Sequence, residues 1–341
     1  MIGDRAHASG PAAVLTGLGS WLPPRVVTNH DLATRMDTSE EWIRSRTGIR
    51  QRHVIEPGMS TADLAVEAAE RALKSAGRTD VDAVLLATAT PDRLCPATAP
   101  EVASRLGLSG VAAFDVGAVC AGFVYALAVG NGLISAGIAE HVLVIGADTF
   151  STIINPEDRT TVAIFGDGAG AMTLQAGQPT EPGALGPFDL GSDGDLAELI
   201  MIPAGGSKQR SSGCRAPESD HYFTMSGKPV FQNAVLRMAE SSQRALTAAG
   251  WSIQDVDKLV GHQANSRILA ALAQRLDLPS EKLVSNIHRV GNTSAASIPL
   301  ALADAVSSAD LNGDERVLIT SFGGGLAWGS TTLRWPELVV V

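Results

Sequence analysis

Cysteine is scarce in this chain, and the scarcity excludes two classes of protein. Cys95, Cys120 and Cys214 are the three present among 341 residues. They are too few and too scattered for a disulfide framework, and none stands in the C-x-x-C spacing of a zinc or redox site. The chain therefore reads as one kept in a reducing, cytoplasmic setting. Positive charge is also in deficit: 26 Lys and Arg against 36 Asp and Glu give a formal net charge of −10. That is the wrong sign for a general nucleic-acid binder, which must displace counterions from phosphate, although it leaves room for a local basic patch. No apolar run approaches the roughly 20 residues that span a bilayer, and Met1 to Pro11 lacks the apolar core of a secretory leader. These absences predict no nucleic acid, no membrane and no outward targeting.

What is present is a composition 45% hydrophobic over 341 positions, enough to bury a large core in about two domain-sized units. The strongest organisational signal is an internal echo. Arg71-Ala72-Leu73-Lys74-Ser75-Ala76-Gly77 returns as Arg244-Ala245-Leu246-Thr247-Ala248-Ala249-Gly250, each reading as the glycine-closed end of an amphipathic helix. Each is followed by Val-Asp opening an apolar run, Val81 to Leu86 and Val256 to Val260. Arg105-Leu106-Gly107-Leu108 then matches Arg275-Leu276-Asp277-Leu278, and Val142 to Ile145 matches Val317 to Thr320, in unchanged order. Short apolar strands alternating with longer helices indicate parallel α/β units with helices on both sheet faces. The duplication predicts two halves, residues 1–176 and 177–341, packed about a pseudo-twofold. The loop at Cys120 should then face its counterpart near Gly291-Asn292-Thr293. Gly177 to Asp220, rich in Gly, Pro and Ser, reads as loop or hairpin.

Chemistry concentrates where strands end. Asp115 to Phe123 sets Cys120 at a strand-to-helix junction, where free N–H groups and the positive end of the helix dipole favour thiolate over thiol. His262 directly follows the strand Leu259-Val260. Asn292 lies in a tight loop leading into a helix, and Gly323-Gly324-Gly325 follows a buried strand, where three glycines let backbone N–H groups approach a reacting carbonyl. Taken singly, each has a plainer reading: an inert buried cysteine, a structural histidine, a helix cap, a flexible turn. Together they supply what a cysteine nucleophile needs, a partner for protons and charge and donors for an oxyanion. Trp42 with Arg44, Arg46, Arg50 and Arg52 forms a positively charged stretch in an otherwise acidic protein.

In order and spacing these segments resemble the ketoacyl-ACP synthase III enzymes of the thiolase-like superfamily, over essentially the whole chain. The resemblance rests on Thr38-Ser39-Glu40-Glu41-Trp42-Ile43 with Arg46-Thr47-Gly48-Ile49, on Cys120-Ala121-Gly122-Phe123, and on Phe165-Gly166-Asp167-Gly168-Ala169-Gly170-Ala171. It continues through His262-Gln263-Ala264-Asn265, Gly291 to Ser297, and Phe322 to Gly325 with Trp328-Gly329-Ser330. It implies an α/β fold made of two thiolase-like halves in a five-layer αβαβα sandwich, assembled as a homodimer. It implies that Cys120 takes an acyl group from acyl-CoA, with the N–H groups of Cys120 and Gly324 as oxyanion hole. His262 and Asn292 would donate to the thioester carbonyl of malonyl-ACP as carbon dioxide leaves, and the resulting carbanion would attack the acyl-enzyme. Trp42, Arg46 and Arg159 are thereby assigned to CoA, with Trp42 and Arg159 sandwiching adenine. Ala264 and Asn265 are assigned to pantetheine, and Gln263 and Arg267 to the carrier protein, with Lys228 and Arg237 as lesser contributors. No cofactor or metal is implied; the CoA and ACP thioesters are substrates.

The chain departs from common relatives at Pro100-Glu101, near the expected acyl pocket or dimer contact, and at Gln232, where a basic residue often follows the phenylalanine. The superfamily's other branches fit less well. A degradative thiolase wants a second cysteine where Ser321 and Phe322 stand, a chalcone-synthase-like enzyme a proline near Gly324, and a hydroxymethylglutaryl-CoA synthase a glutamate within Ala87-Thr88-Ala89-Thr90. The alternative is an acyltransferase that passes the acyl group from Cys120 to a hydroxyl, amine or unusual β-keto acceptor. A non-catalytic carrier-binding protein is disfavoured by the intact Cys120, His262 and Asn292.

Overall fold

The computed structural model describes residues 10–341; the expectation for the N-terminal segment therefore falls, up to residue 9, outside the described residues. Strands β1 (Ala12–Trp21), β2 (Ala83–Ala87), β3 (Ala112–Val116), β4 (His141–Asp148) and β5 (Gly168–Gly177) form one sheet in the order β1-β5-β4-β2-β3. A second sheet orders β6 (Leu185–Ser192), β7 (Lys258–Gly261), β8 (Arg316–Gly323) and β9 (Ala327–Arg334) as β6-β9-β8-β7. Leu283 adds a parallel bridge to Leu259 on the far side of β7, at the place β3 takes beside β2. Both sheets thus run through the same succession of positions, and each echoed segment falls at an equivalent point: β2 with β7, β4 with β8.

The strands are not all parallel. β2 pairs in parallel with β3 and β4, and β7 with β8, whereas β5 and β9 run antiparallel to their neighbours, as do the edge strands β1 and β6. The expectation of parallel units therefore holds at the centre of each sheet and fails along one flank. Continuous apolar runs report burial on both faces but carry no direction. β6 is a second departure: where Gly and Pro suggested a loop or hairpin, the chain forms a strand that pairs with the distant β9. Its Pro187 is tolerated because β6 is an edge strand with one side free of ladder bonds.

Helices fill the spaces above, between and below the sheets: α1 (Glu40–Thr47), α2 (Thr61–Ser75), α3 (Ala99–Arg105), α4 (Gly122–Ser135), α5 (Gly227–Ala249), α6 (Ser266–Leu276) and α7 (Ser297–Ser307). Side chains alternate across β2, so Val84 and Leu86 meet Leu64, Ala68 and Val102 from α2 and α3, while Leu85 faces the other way. Leu85 joins Phe123 and Leu127 of α4, Ile298 and Leu302 of α7, and Val317 and Ile319 of β8 in the central core. Leu259 and Leu318 close the far side against Val230 and Met238 of α5 and Leu272 of α6. The layers run helix, sheet, helix, sheet, helix. Outer helices need one apolar face, so α2 is amphipathic, starts on a Ser60–Asp63 capping box and keeps Glu70 and Lys74 exposed. A middle helix is enclosed along much of its length: α7 buries Ile298 through Ala303 in succession.

β4 passes close against the turn before α7. A Cβ on Gly146 would lie 2.5 Å from the carbonyl oxygen of Ala295, a backbone atom that cannot swing aside. Gly146→Ala should therefore lower stability by about 1–3 kcal/mol, read as a fall in the denaturation midpoint with an unchanged slope; a midpoint equal to that of the unsubstituted protein would contradict this close approach.

Candidate active site

Cys120 sits just past β3, in a 3-10 turn over Val119–Ala121 that runs directly into α4. Val119 adopts φ 46°, a left-handed value that a β-branched residue holds only under strain of about 1–3 kcal/mol. The second half repeats the device: a 3-10 turn over Ser294–Ala296 runs into α7, and Ser294 has φ 51°. The two turns meet. The Cys120 thiol donates to the Ser294 hydroxyl at 3.5 Å, and the counterpart expected near residues 291–293 lies a residue or two further on.

This second turn gathers the other polar groups. Asn292 is pinned at both backbone ends, its N–H donating to Ile164 and its carbonyl accepting from Gly166. Its side-chain Oδ1 accepts the Ser294 N–H at 2.9 Å. With the oxygen taken up in this way, Nδ2 becomes the group the side chain can offer to a substrate. His262 leaves β7 with its N–H bound to the Thr320 carbonyl, and its Nδ1 lies 2.6 Å from the Ser297 hydroxyl. The ring is 3% exposed, and burial pulls its pKa down to about 3, so it is a neutral imidazole. Asn292, Ser294 and Ser297, within one turn and the residue that follows it, thus hold or touch all three polar groups named from the sequence.

The surroundings of the sulfur favour the thiol over the anion. Burial pushes the Cys120 thiol up to about 12, and the negative charge of Asp148 adds to the rise against the Ser294 contact and the backbone N–H of Cys120 itself, which lower it. The expected thiolate is corrected to a thiol, because the enclosing walls remove the water that would solvate the charge, even though the residue keeps some access. Asp148, at the end of β4 and fully buried, went unnoticed in the sequence. Its carboxylate accepts from Thr88 Oγ1, Ala89 N and Thr90 Oγ1 on one side and from Ala295 N at 3.0 Å on the other. Burial raises its pKa in spite of these bonds.

Gly323 faces Cys120 from the end of β8. A Cβ there would stand 2.8 Å from Cys120 N, so only glycine keeps the approach to that N–H clear. Gly324 follows with its backbone against Ile200.

The second group of expected residues forms a cluster at the surface. Arg46 and Arg159 place their guanidinium carbons 4.8 and 5.1 Å from the Trp42 ring centre. Arg159 also donates to the Asp37 carbonyl. Asn265 ties this cluster to α6: its Nδ2 donates to the Arg46 carbonyl at 3.2 Å, and its Oδ1 caps the helix through Arg267 N at 2.8 Å. Ala264, between Asn265 and His262, is half-buried. Arg267 is exposed, with Phe231 beneath it.

Two expected surface residues are not at the surface. Gln263 is 0% exposed; it donates to the Gly261 and Val284 carbonyls and accepts from Asn286 N. A side chain so enclosed cannot touch a carrier protein, and Gln263 is withdrawn from that role. Arg52 is likewise buried, donating to the Val27 and Ala163 carbonyls and to Asn29 Oδ1, so the positive stretch lacks it. Arg237 is engaged by Asp193, Glu240 and the Trp328 ring, whereas Lys228 and Gln232 are exposed. Pro100 and Glu101 lie in the first turn of α3 at exposed positions, Glu101 paired with Arg93.

Residues 114–194 match the family described as 3-oxoacyl-(acyl-carrier-protein) synthase III, and residues 246–335 match its C-terminal counterpart. A Streptomyces coelicolor protein named beta-ketoacyl-(acyl-carrier-protein) synthase III 3 is 61% identical over 96% of this chain and 98% of its own. A crystal structure of the Pseudomonas aeruginosa PAO1 3-oxoacyl-(acyl carrier protein) synthase III superimposes with a TM-score of 0.91, at 53% identity over 96% of this chain and 99% of that one. The priming β-ketosynthase of the R1128 polyketide pathway gives 0.90 at 32% identity over 98% and 99%. With matched segments in both halves and close relatives along nearly its full length, the chain belongs to the β-ketoacyl-(acyl-carrier-protein) synthase III family of acyltransferases.

Proposed function

We propose that the chain joins an acyl primer to malonyl-ACP by decarboxylative condensation, through an acyl group carried on Cys120, and so starts a fatty-acid or polyketide chain. The observation that carries this reading is the single turn at Asn292–Ser297, which touches the thiol, presents an amide donor and holds a neutral imidazole. In the first step the Cys120 sulfur attacks the thioester carbonyl of acyl-CoA. The carbonyl oxygen, briefly an oxyanion, is met by the N–H groups of Cys120 and Gly324; CoA then leaves as a thiolate and takes up the proton that the thiol loses. In the second step the carboxylate of malonyl-ACP departs as carbon dioxide, and the electrons of the broken C–C bond pass into the thioester as an enolate. His262 Nε2 and Asn292 Nδ2 donate to its oxygen. The enolate carbon attacks the acyl-enzyme, and Cys120 leaves as a thiolate that takes up a proton from solvent as the 3-oxoacyl-ACP forms. Neutral donors suit this step, since a carboxylate in their place would repel the developing charge.

Trp42, Arg46 and Arg159 we read as the CoA nucleotide contact. Arg159 already lies against the indole, so an adenine between them requires the guanidinium to lift to roughly 7 Å, two stacking distances. Ala264 and Asn265 stand between this cluster and His262, where a pantetheine arm would pass, and exposed Arg267 supplies positive charge for an acidic carrier protein. We place the division between the halves at residues 176 and 177, where β5 ends. A homodimer is supported by the free edge of β3, where Phe114 is exposed, and by Leu94, 74% exposed in the loop before α3. We place its action in the cytoplasm; no described helix is long and apolar enough to cross a membrane.

Intact-mass measurement separates the two chemical steps. Cys120→Ala should take up no acyl group from acyl-CoA, whereas His262→Ala should still become acylated yet condense about 10²–10³-fold more slowly; full acylation of Cys120→Ala would show the nucleophile to be another residue. Because the thiol titrates far above neutrality, its alkylation by iodoacetamide should climb about tenfold per pH unit between about pH 7 and 9, with no plateau. A rate already level at neutral pH would mean a resting thiolate. Trp42→Ala should raise KM for acyl-CoA about tenfold, the worth of one stacked base, and leave KM for malonyl-ACP unchanged.

A further inference from the structure

The geometry around Ser297 reaches beyond the roles of Cys120, His262 and Asn292. Ser297 is the first residue of α7 and is completely buried. Its hydroxyl oxygen has two partners among the described residues: His262 Nδ1 at 2.6 Å and the backbone N–H of Gln263 at 3.3 Å. A backbone N–H can only donate, so the oxygen accepts there. A serine hydroxyl owns one proton. If Nδ1 carried a hydrogen, the oxygen would accept twice and its own proton would point into a dry interior with no acceptor, at a cost of about 1–3 kcal/mol. If Nδ1 is bare, the proton has a partner at 2.6 Å, and the hydroxyl, Nδ1 and the Gln263 N–H are each satisfied.

We propose that Ser297 is a positioning residue which donates to His262 Nδ1 and thereby fixes the ring as the Nε2–H tautomer. The inference rests on the reading of His262 as a donor to the malonyl thioester. A neutral imidazole could otherwise present a lone pair at Nε2 and repel the enolate oxygen it must stabilise. The orientation of the ring follows from the same contact, and Ser297 stands only a few residues from Asn292. One turn therefore aims both donors, the amide Nδ2 and the imidazole Nε2–H, at one substrate oxygen. The backbone N–H of Gln263 is part of the device, since it occupies the lone pair through which the serine would otherwise accept from the ring.

The test has a structural and a kinetic arm. Long-range proton–nitrogen correlation spectra of the full chain with 15N-labelled histidine, assigned against His262→Ala, should show His262 in the neutral Nε2–H pattern, unchanged between about pH 5 and 8. An Nδ1–H pattern, or a doubly protonated ring, overturns the proposal whatever any variant does. Ser297→Ala should lower kcat for condensation about 10²-fold or more, as when a catalytic imidazole is left in the wrong tautomer. KM for malonyl-ACP and the rate of acyl loading from acyl-CoA should stay within about twofold. Ser297→Thr, which keeps the hydroxyl, should recover most of the lost kcat. Normal condensation by Ser297→Ala, or equal losses in the alanine and threonine variants, overturns the positioning role. An Nε2–H ring together with a His262→Ala variant that condenses normally would instead leave the tautomer assignment standing and remove the catalytic reading of His262.

Discussion

A buried carboxylate holds the centre of this molecule together. Asp148 ends β4 and has no water to solvate it, so its oxygens depend on protein donors for whatever stability they have. Three come from the loop after β2 in its own half, and the fourth is the N–H of Ala295 in the opposing turn. Breaking any of these bonds would leave a polar group stranded in the interior. The network therefore fixes the height at which the two halves meet. The position of Ser294 follows from that height, as does the reach of the thiol to it.

The duplication explains why only one of the two turns can do chemistry. Residue 148 at the end of β4 and residue 323 at the end of β8 hold equivalent places. In the second half the opposing turn has its Ala295 N–H taken by the Asp148 carboxylate. Opposite the turn of the first half, the equivalent strand β8 ends in glycine, and a Cβ on Gly323 would already crowd Cys120 N. A carboxylate at 323 would seal that N–H just as Asp148 seals its counterpart. One fold, repeated, thus gives a turn whose donor is spent on structure and a turn whose donor can meet a substrate oxygen. The left-handed backbone at Val119 and Ser294 recurs because each residue opens the 3-10 turn that runs into a middle helix.

The parts of this design that were legible in the sequence are those set by periodicity and spacing. Ile298 through Ala303 is too continuously apolar for an outer helix and fits only between two sheets, whereas the mixed face of Thr61 to Ser75 fits only outside. Cys120, His262 and Asn292 could be found because each follows a recognisable strand or opens a recognisable helix. What escaped depended on a third dimension. Asp148 closes an apolar strand and gives no sign that it bonds to residue 295; Gln263 has the composition of a surface residue and is enclosed because its neighbours bring carbonyls to it. The charge state of the sulfur was misread for the same reason. A helix N-terminus can be inferred from sequence, but the desolvation that outweighs it cannot.

That outcome is informative about the reaction. A site holding a thiolate beside an imidazolium would surround the malonyl group with full charges, and the enolate would compete with the thiolate for every donor. Here the resting groups are a thiol, an imidazole and an amide, all neutral and all hydrogen-bonded. Charge enters the site on the substrates: first as the departing CoA thiolate, then as the carboxylate that leaves as carbon dioxide. Donors already oriented and largely buried meet that charge with little reorganisation, which is the condition under which a few hydrogen bonds act most strongly on a transition state. The burial that makes Cys120 a poor nucleophile at rest also makes Asn292 and His262 effective donors, so acylation, which needs a thiolate, and condensation, which needs neutral donors, place opposite demands on the same dry site.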